Sequence, residues 1–140
     1  MDVHGRHASW WGSAIAIAIA ISGCSSGIGK PVRELKVTPD ADGVQRVRVV
    51  AHSFWFEPNR IVVKAGVPVE FHVKNGGPFV PHNLTCDAPE AGIHLDEGLG
   101  MFWDGETARF TPTKPGEYPF YCDKDSHAKK GMKGTLVVVP

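Results

Sequence analysis

From Val44 onward, hydrophobic and polar residues alternate in short runs. Val47, Val49 and Ala51 share one parity, with Arg46, Arg48 and His52 on the other. Val67, Val69, Phe71 and Val73 alternate in the same way with Pro68, Glu70, His72 and Lys74. A period of two sets one face on a core and the other in water. Turn signals separate the runs: Glu57-Pro-Asn59, Lys64-Ala-Gly66, Asn75-Gly-Gly-Pro78 and Lys114-Pro-Gly116. Shorter strands are predicted at His82–Cys86, Thr107–Thr111, Glu117–Cys122 and Gly134–Val139, and an edge strand within Val32–Thr38, where Leu35 and Val37 share a face. Residues 90–105 read as a long loop. No helical period and no internal repeat is present. The pattern predicts an all-β fold, a two-sheet antiparallel β-sandwich of about seven or eight strands over residues 44–140.

Composition agrees. Gly (16) and Pro (11) suit many turns between short strands. Lys plus Arg (15) cancels Asp plus Glu (15), so no bulk positive field points to nucleic acid. The N-terminal part has a different character. Ala14–Ile21 is an apolar alternation of Ala and Ile, too short to span a bilayer, which needs about 20 residues, and suited to the core of a signal peptide. It runs into Ile21-Ser22-Gly23-Cys24, an aliphatic residue, two small ones and a cysteine. This resembles the lipobox of bacterial lipoproteins. The resemblance implies that residues 1–23 are removed, that Cys24 carries a diacylglycerol, and that the chain is exported to the periplasmic side of a membrane. Ser25 after that cysteine favours the outer membrane by the same analogy. Residues 24–43, small, polar and punctuated by Pro and Gly, read as a lipidated start and a tether.

The chemistry lies near the C-terminus. Cys122, His127 and Met132 follow one another as C-x4-H-x4-M between two predicted strands, and Pro81-His82-Asn83 opens another strand upstream. Together they offer two imidazoles, one thiolate and one thioether. Two His and one Cys with a weak axial Met is the donor set of blue copper sites. The thiolate suits Cu(I), imidazoles suit both oxidation states, and a distant thioether favours neither strongly. Zinc prefers three or four strong Cys or His donors to a thioether. C-x-x-C and C-x-x-C-H motifs are absent from the sequence.

Phe79-Val-Pro-His-Asn83, Gly116-Glu-Tyr-Pro-Phe-Tyr-Cys122, His127 and Met132-Lys-Gly134 resemble the cupredoxins, as do Phe56-Glu-Pro58, Val63-Lys-Ala-Gly66 and Gly105-Glu-Thr107. The Pro-His-Asn is similar to that of plastocyanins; the four-residue Cys-to-His spacing is closer to azurins and auracyanins. The resemblance implies an eight-stranded Greek-key sandwich binding one copper near one end. His82 would come from a strand, and Cys122, His127 and Met132 from one loop. It gives Asn83 the role of holding the two ligand segments together; the bland alternative is a turn cap. It implies a carrier of single electrons between redox partner proteins, with electrons leaving by the His127 edge. That carrier is not an enzyme and has no small-molecule substrate. A copper storage or delivery protein, or a small copper enzyme with an open coordination position, are the rival readings. A binuclear centre would need a second cysteine in the ligand loop, which has none.

The remaining residues are weighed against simpler roles. His52 and His72 fall on the polar faces of their strands. His94, with Asp96, Glu97 and Met101, lies in the expected loop and is either solvated or part of a second metal site. Cys86 shares parity with His82 and Leu84, so it reads as a packed thiol; a disulfide to Cys122 would abolish metal binding. Lys124, Lys129, Lys130 and Lys133 surround His127, against Asp123 and Asp125 locally, and form either a solvated face or a basic rim that steers an acidic redox partner.

Overall fold

The computed structural model describes residues 30–102 and 105–140. Cys24 and the signal-peptide segment lie outside the described residues. Ten strands are present among the described residues: β1 Glu34–Lys36, β2 Gln45–His52, β3 Trp55–Glu57, β4 Arg60–Lys64, β5 Val69–Asn75, β6 His82–Ala88, β7 Ile93–Leu99, β8 Gly105–Phe110, β9 Gly116–Tyr121 and β10 Lys133–Val139. One sheet has six strands in the order β1-β4-β10-β9-β6-β7, and the other four in the order β3-β2-β5-β8.

The alternation read from the sequence appears as alternating burial. Along β2, Val47, Val49 and Ala51 are buried while Arg46 and Arg48 are exposed. Along β5, Val69, Phe71 and Val73 face the same core. The opposite sheet contributes Ile61, Val63, Leu84, Cys86, Leu95, Phe120, Leu136 and Val138. Phe56 of β3 meets Phe120 of β9 with ring centroids 5.4 Å apart at 67°, an edge-to-face contact that joins the two sheets. β1 confirms the edge strand: Leu35 pairs with Ile61 and packs with Val37 against the core.

Two expectations are corrected. The sheets are mixed rather than antiparallel, because β1–β4, β4–β10 and β2–β5 are parallel pairs. Parallel neighbours need a crossover between them. Here the chain supplies it by passing to the other sheet, as β2 reaches β5 by way of β4. The loop expected over 90–105 contains a strand, β7, paired antiparallel with β6 from His82↔Leu99 to Ala88↔Ile93. Ile93, Leu95 and Leu99 are its buried residues, and Glu97 sits half-buried in the same parity. That carboxylate interrupts the apolar alternation and hides the strand in the sequence.

Two buried amides secure the ends of the sandwich. Gln45 donates from Nε2 to the carbonyls of Lys64 (3.1 Å) and Val67 (3.2 Å) and accepts from the Lys64 N–H at 2.7 Å. Asn75 donates from Nδ2 to the carbonyls of Val80 (2.8 Å) and Gly100 (2.6 Å) and accepts from the Gly77 N–H at 3.0 Å. This second amide ties the β5–β6 loop, which leads into His82, to the segment after β7.

Candidate metal centre

His82 is the first residue of β6, and Cys122 directly follows β9. His127 lies in the turn between β9 and β10, and Met132 directly precedes β10. The β9–β10 pair is registered Lys133↔Tyr121, so its antiparallel ladder closes the loop that carries three of these residues. Inside the loop the Cys122 N–H donates to the Met132 carbonyl (3.1 Å), and the Met132 N–H donates to the His127 carbonyl (3.0 Å). The loop is thereby folded upon itself before any ligand is considered.

The sequence separates His82 from Cys122 by the length of four strands, β6 to β9, and the sandwich brings them together. One ligand atom each from His82, Cys122 and His127 lies within 4.8 Å of the others, and all three residues are buried. Cys122 Sγ is 3.4 Å from His127 Nδ1 and accepts from the Asn83 N–H at 3.4 Å. Met132 is fully buried in the adjoining core. Asn83 bridges the two segments: its Oδ1 accepts from the Asp123 N–H at 2.8 Å and its Nδ2 donates to Thr85 Oγ1 at 3.1 Å. It thus ties the strand bearing His82 to the loop bearing Cys122. Such a link orients the donor atoms and tunes a bound metal.

His82 Nδ1 is buried and has no hydrogen-bond partner. A buried polar atom left without a partner costs free energy unless something satisfies it. Burial first, then the nearby His127 and His52, push the His82 imidazole down to about 4. It is neutral at physiological pH, which is the form that donates to a metal. An orphaned neutral imidazole facing a thiol and a second imidazole fits a soft-to-borderline cation, and the donor set fits copper.

Other expected residues separate from this cluster. His94, exposed on β7, pairs with Asp87 at 3.0 Å, which raises its pKa. Asp96 is contacted instead by Thr85 Oγ1 at 3.4 Å. Among the described residues the only cluster of three or more His, Cys and acidic groups placed to hold a metal is His82–Cys122–His127, so the described part of the 90–105 segment gathers no second cluster of that kind. His72 contacts Thr107 Oγ1 on the neighbouring strand. His52 is half-buried at the end of β2. It stacks on Trp55 at 4.3 Å, and a charge on it bears upon His82. Cys86 and Cys122 are both buried and free, with no disulfide between them.

Two contributors escape a sequence reading. One is Asn75, whose only signal was its place before Gly-Gly-Pro in a turn. The other is Phe54, in the two-residue turn between β2 and β3. Its φ of +67° is costly for an aromatic residue. Its ring meets that of His127 at 4.9 Å and 72°. His127 is only 6% exposed, so the imidazole edge expected at the surface is largely covered.

A family model described as a cupredoxin-like domain matches residues 14–138. The chain is 40% identical over 90 residues to chloroplastic plastocyanin of Oryza sativa subsp. indica, covering 59% of this chain and 54% of that protein. It is 38% identical over 91 residues to plastocyanin of Ulva prolifera, covering 61% of this chain and 88% of that one. The match therefore spans about half the length of the rice relative. Among solved structures, the metal-binding domain of the Cu(I)-exporting P-type ATPase CopA of Streptococcus pneumoniae D39, solved with Cu(I), superposes with a TM-score of 0.60 at 25% identity. That superposition covers 79% of this chain and 100% of that domain. A β-sandwich with this buried His-Cys-His cluster, matched by the family model over nearly its whole length, belongs to the cupredoxin family.

Proposed function

We propose that this chain is an exported blue copper protein, tethered to a bacterial membrane through Cys24, that carries single electrons between redox partner proteins. The observation that carries the reading is the orphaned His82 Nδ1 beside Cys122 Sγ and His127. His82, Cys122 and His127 would hold one copper ion, with Met132 as a weaker fourth donor, and the ion would supply one-electron redox chemistry. The protein's part is to keep these donors in place. The folded loop, the Asn83 bridge and the rigid strands of the sandwich resist rearrangement when charge changes. His82, Cys122 and His127 are all buried, in keeping with a carrier that makes and breaks no covalent bond.

The test is the visible and EPR spectrum of the Cu(II)-loaded chain. An intense blue absorption with small copper hyperfine splitting is expected. A pale spectrum with ordinary splitting, or failure to bind stoichiometric copper, would overturn the assignment. The anchor is tested separately by the mass of the mature protein, expected to begin at Cys24 with a thioether-linked diacylglycerol. Ser25 favours the outer membrane.

The similarity to a Cu(I)-exporter domain favours one second reading, a protein that hands copper to an acceptor. Rapid loss of Cu(I) to a purified acceptor, with slow electron exchange, would select it. A coordination position open to azide would instead point to a copper enzyme, which the buried Met132 argues against.

A further inference from the structure

Lys30, the first described residue, places its Nζ 5.5 Å from the centre of the Trp55 ring. Lys130, from the ligand loop, places its Nζ 4.2 Å from the centre of the Phe54 ring. With Lys133 they border a groove whose lining includes both aromatic rings and no carboxylate. The groove shares Asn59 and Lys133 with a neighbouring one lined by Val32, which is 72% exposed. The nearby Glu57 is engaged elsewhere, 3.4 Å from Arg33 and 3.4 Å from His52. One face therefore combines three ammonium groups, none of them ion-paired among the described residues, with an exposed aliphatic side chain and a half-buried indole.

This is the face at which the chain enters the sandwich. Lys30 follows Cys24 by six residues. Six residues reach at most roughly 20 Å when fully extended, whereas a folded body of this size is roughly 35 Å across. A body held by a lipid on Cys24 cannot turn this face to the far side. Lysines near a bilayer are drawn to anionic headgroups, and Trp side chains favour the headgroup level.

From this we infer that the groove bordered by Lys30, Lys130 and Lys133 is a docking surface for anionic lipid headgroups, with Trp55 and Val32 turned toward the acyl boundary. The inference rests on the Cys24 anchor proposed above. It adds an orientation to that anchor: the side of the molecule that covers His127 faces the bilayer.

The experiment uses the mature full-length chain reconstituted into vesicles of phosphatidylcholine alone or an equal mixture with phosphatidylglycerol. The emission of Trp55, taken as the difference between the parent and Trp55→Phe, is read with brominated acyl chains as quenchers. Quenching is expected in the anionic vesicles and is expected to fall in neutral ones. It should fall also near 1 M salt, where the screening length is about 3 Å. Lys130→Gln and Lys133→Gln should each weaken it about fivefold. The mass of the same sample reports the lipid on Cys24 independently. Lipidated protein whose Trp55 is unquenched, or is quenched regardless of headgroup charge and of both lysines, overturns the groove and leaves the anchor standing. A chain without lipid overturns the anchor. The groove is then read by cosedimentation with the same vesicles, where binding that depends on headgroup charge and on both lysines supports it, and absent or charge-independent binding overturns it as well. Substitutions that slow electron transfer to an acidic protein while Trp55 stays unquenched assign the groove to a protein partner and overturn the lipid surface.

Discussion

Two buried thiols lie in the same core, and their neighbours give them different chemistry. Cys122 has His127 Nδ1 and the Asn83 N–H within 3.4 Å of its sulfur. Cys86, one strand pair away, is packed among apolar side chains, and burial pushes its thiol up to about 11 from 9.0. Cys122→Ser is expected to abolish the blue absorption and the rise in melting temperature that copper confers, because metal binding adds its free energy to folding. Cys86→Ala is expected to keep both, at a cost of about 1 kcal/mol for the lost packing. The pH dependence of the metal-free protein reports on Cys86. The unfolded chain releases the Cys86 proton from about pH 9 while the folded chain holds it to about 11. Unfolding therefore gains from rising pH across that window, and the contribution of Cys86 to stability falls. Urea midpoints measured from pH 8 upward should drop more steeply for the parent than for Cys86→Ala. Parity in the strand already showed that Cys86 points inward, but which thiol has a nitrogen beside it depends on residues far apart in the chain.

At the scale of elements, the β9–β10 pair is the scaffold for the ligand loop, and its closeness depends on one glycine. A Cβ on Gly134 would overlap the Phe120 ring and lie 2.6 Å from the Asn59 carbonyl oxygen. Phe120 is itself held edge-on against Phe56 in the other sheet. Gly134→Ala should destabilise by about 1–3 kcal/mol through overpacking, read from chemical denaturation. A broadened copper EPR signal is expected as well, since Gly134 lies two residues after Met132. Most strands were legible because alternation of apolar and polar residues reports burial directly. β7 was not, because Glu97 occupies an inward parity and survives there half-buried, its carboxyl pushed up by burial and by Glu106 and Asp96. The parallel pairings were not legible either. Alternation tells which face of a strand is buried and says nothing of which strand lies alongside. The turn at 40–44 is a local feature of the opposite kind. Arg46 holds Asp42 (2.6 Å) and lowers its pKa to about 2. Stability from this pair is present above the ordinary carboxylate value of 3.8 and is lost as pH falls toward 2, so Asp42→Asn should flatten the acid limb of the unfolding curve.

For the whole molecule, a formal net charge of zero conceals an uneven distribution. Lys124, Lys129, Lys130 and Lys133 are exposed around the ligand loop against Asp123 and Asp125, a local excess of positive charge, while Asp87, Asp96 and Glu106 are carried by β6, β7 and β8. Charges near the site steer encounter more than they set affinity, and salt screens them. Lys124→Glu with Lys129→Glu should slow electron transfer to an acidic partner by tenfold or more at low salt (~10-fold for such steering). The difference from the parent should close at high salt. Stopped-flow rates over a salt series provide the measurement. An equal loss at all salt concentrations would mean that the lysines act by contact rather than by steering.

The sequence by itself determined the all-β class, most strand positions and the candidacy of the three residues that the fold gathers as a His-Cys-His cluster. Alternation and turn residues are local consequences of burial, and a thiolate, a thioether and an imidazole spaced between two strands announce their chemistry wherever they lie. Only the tertiary structure decided the rest. It brought His82 to Cys122 across the sandwich, left His82 Nδ1 without a partner, and set Asn83 as the bridge between the two segments. It also turned Phe54 over His127 and inserted β7 where a loop was expected. All but the β6–β7 hairpin depend on contacts between residues distant in the chain, and such contacts exist only once both sheets have packed around one core.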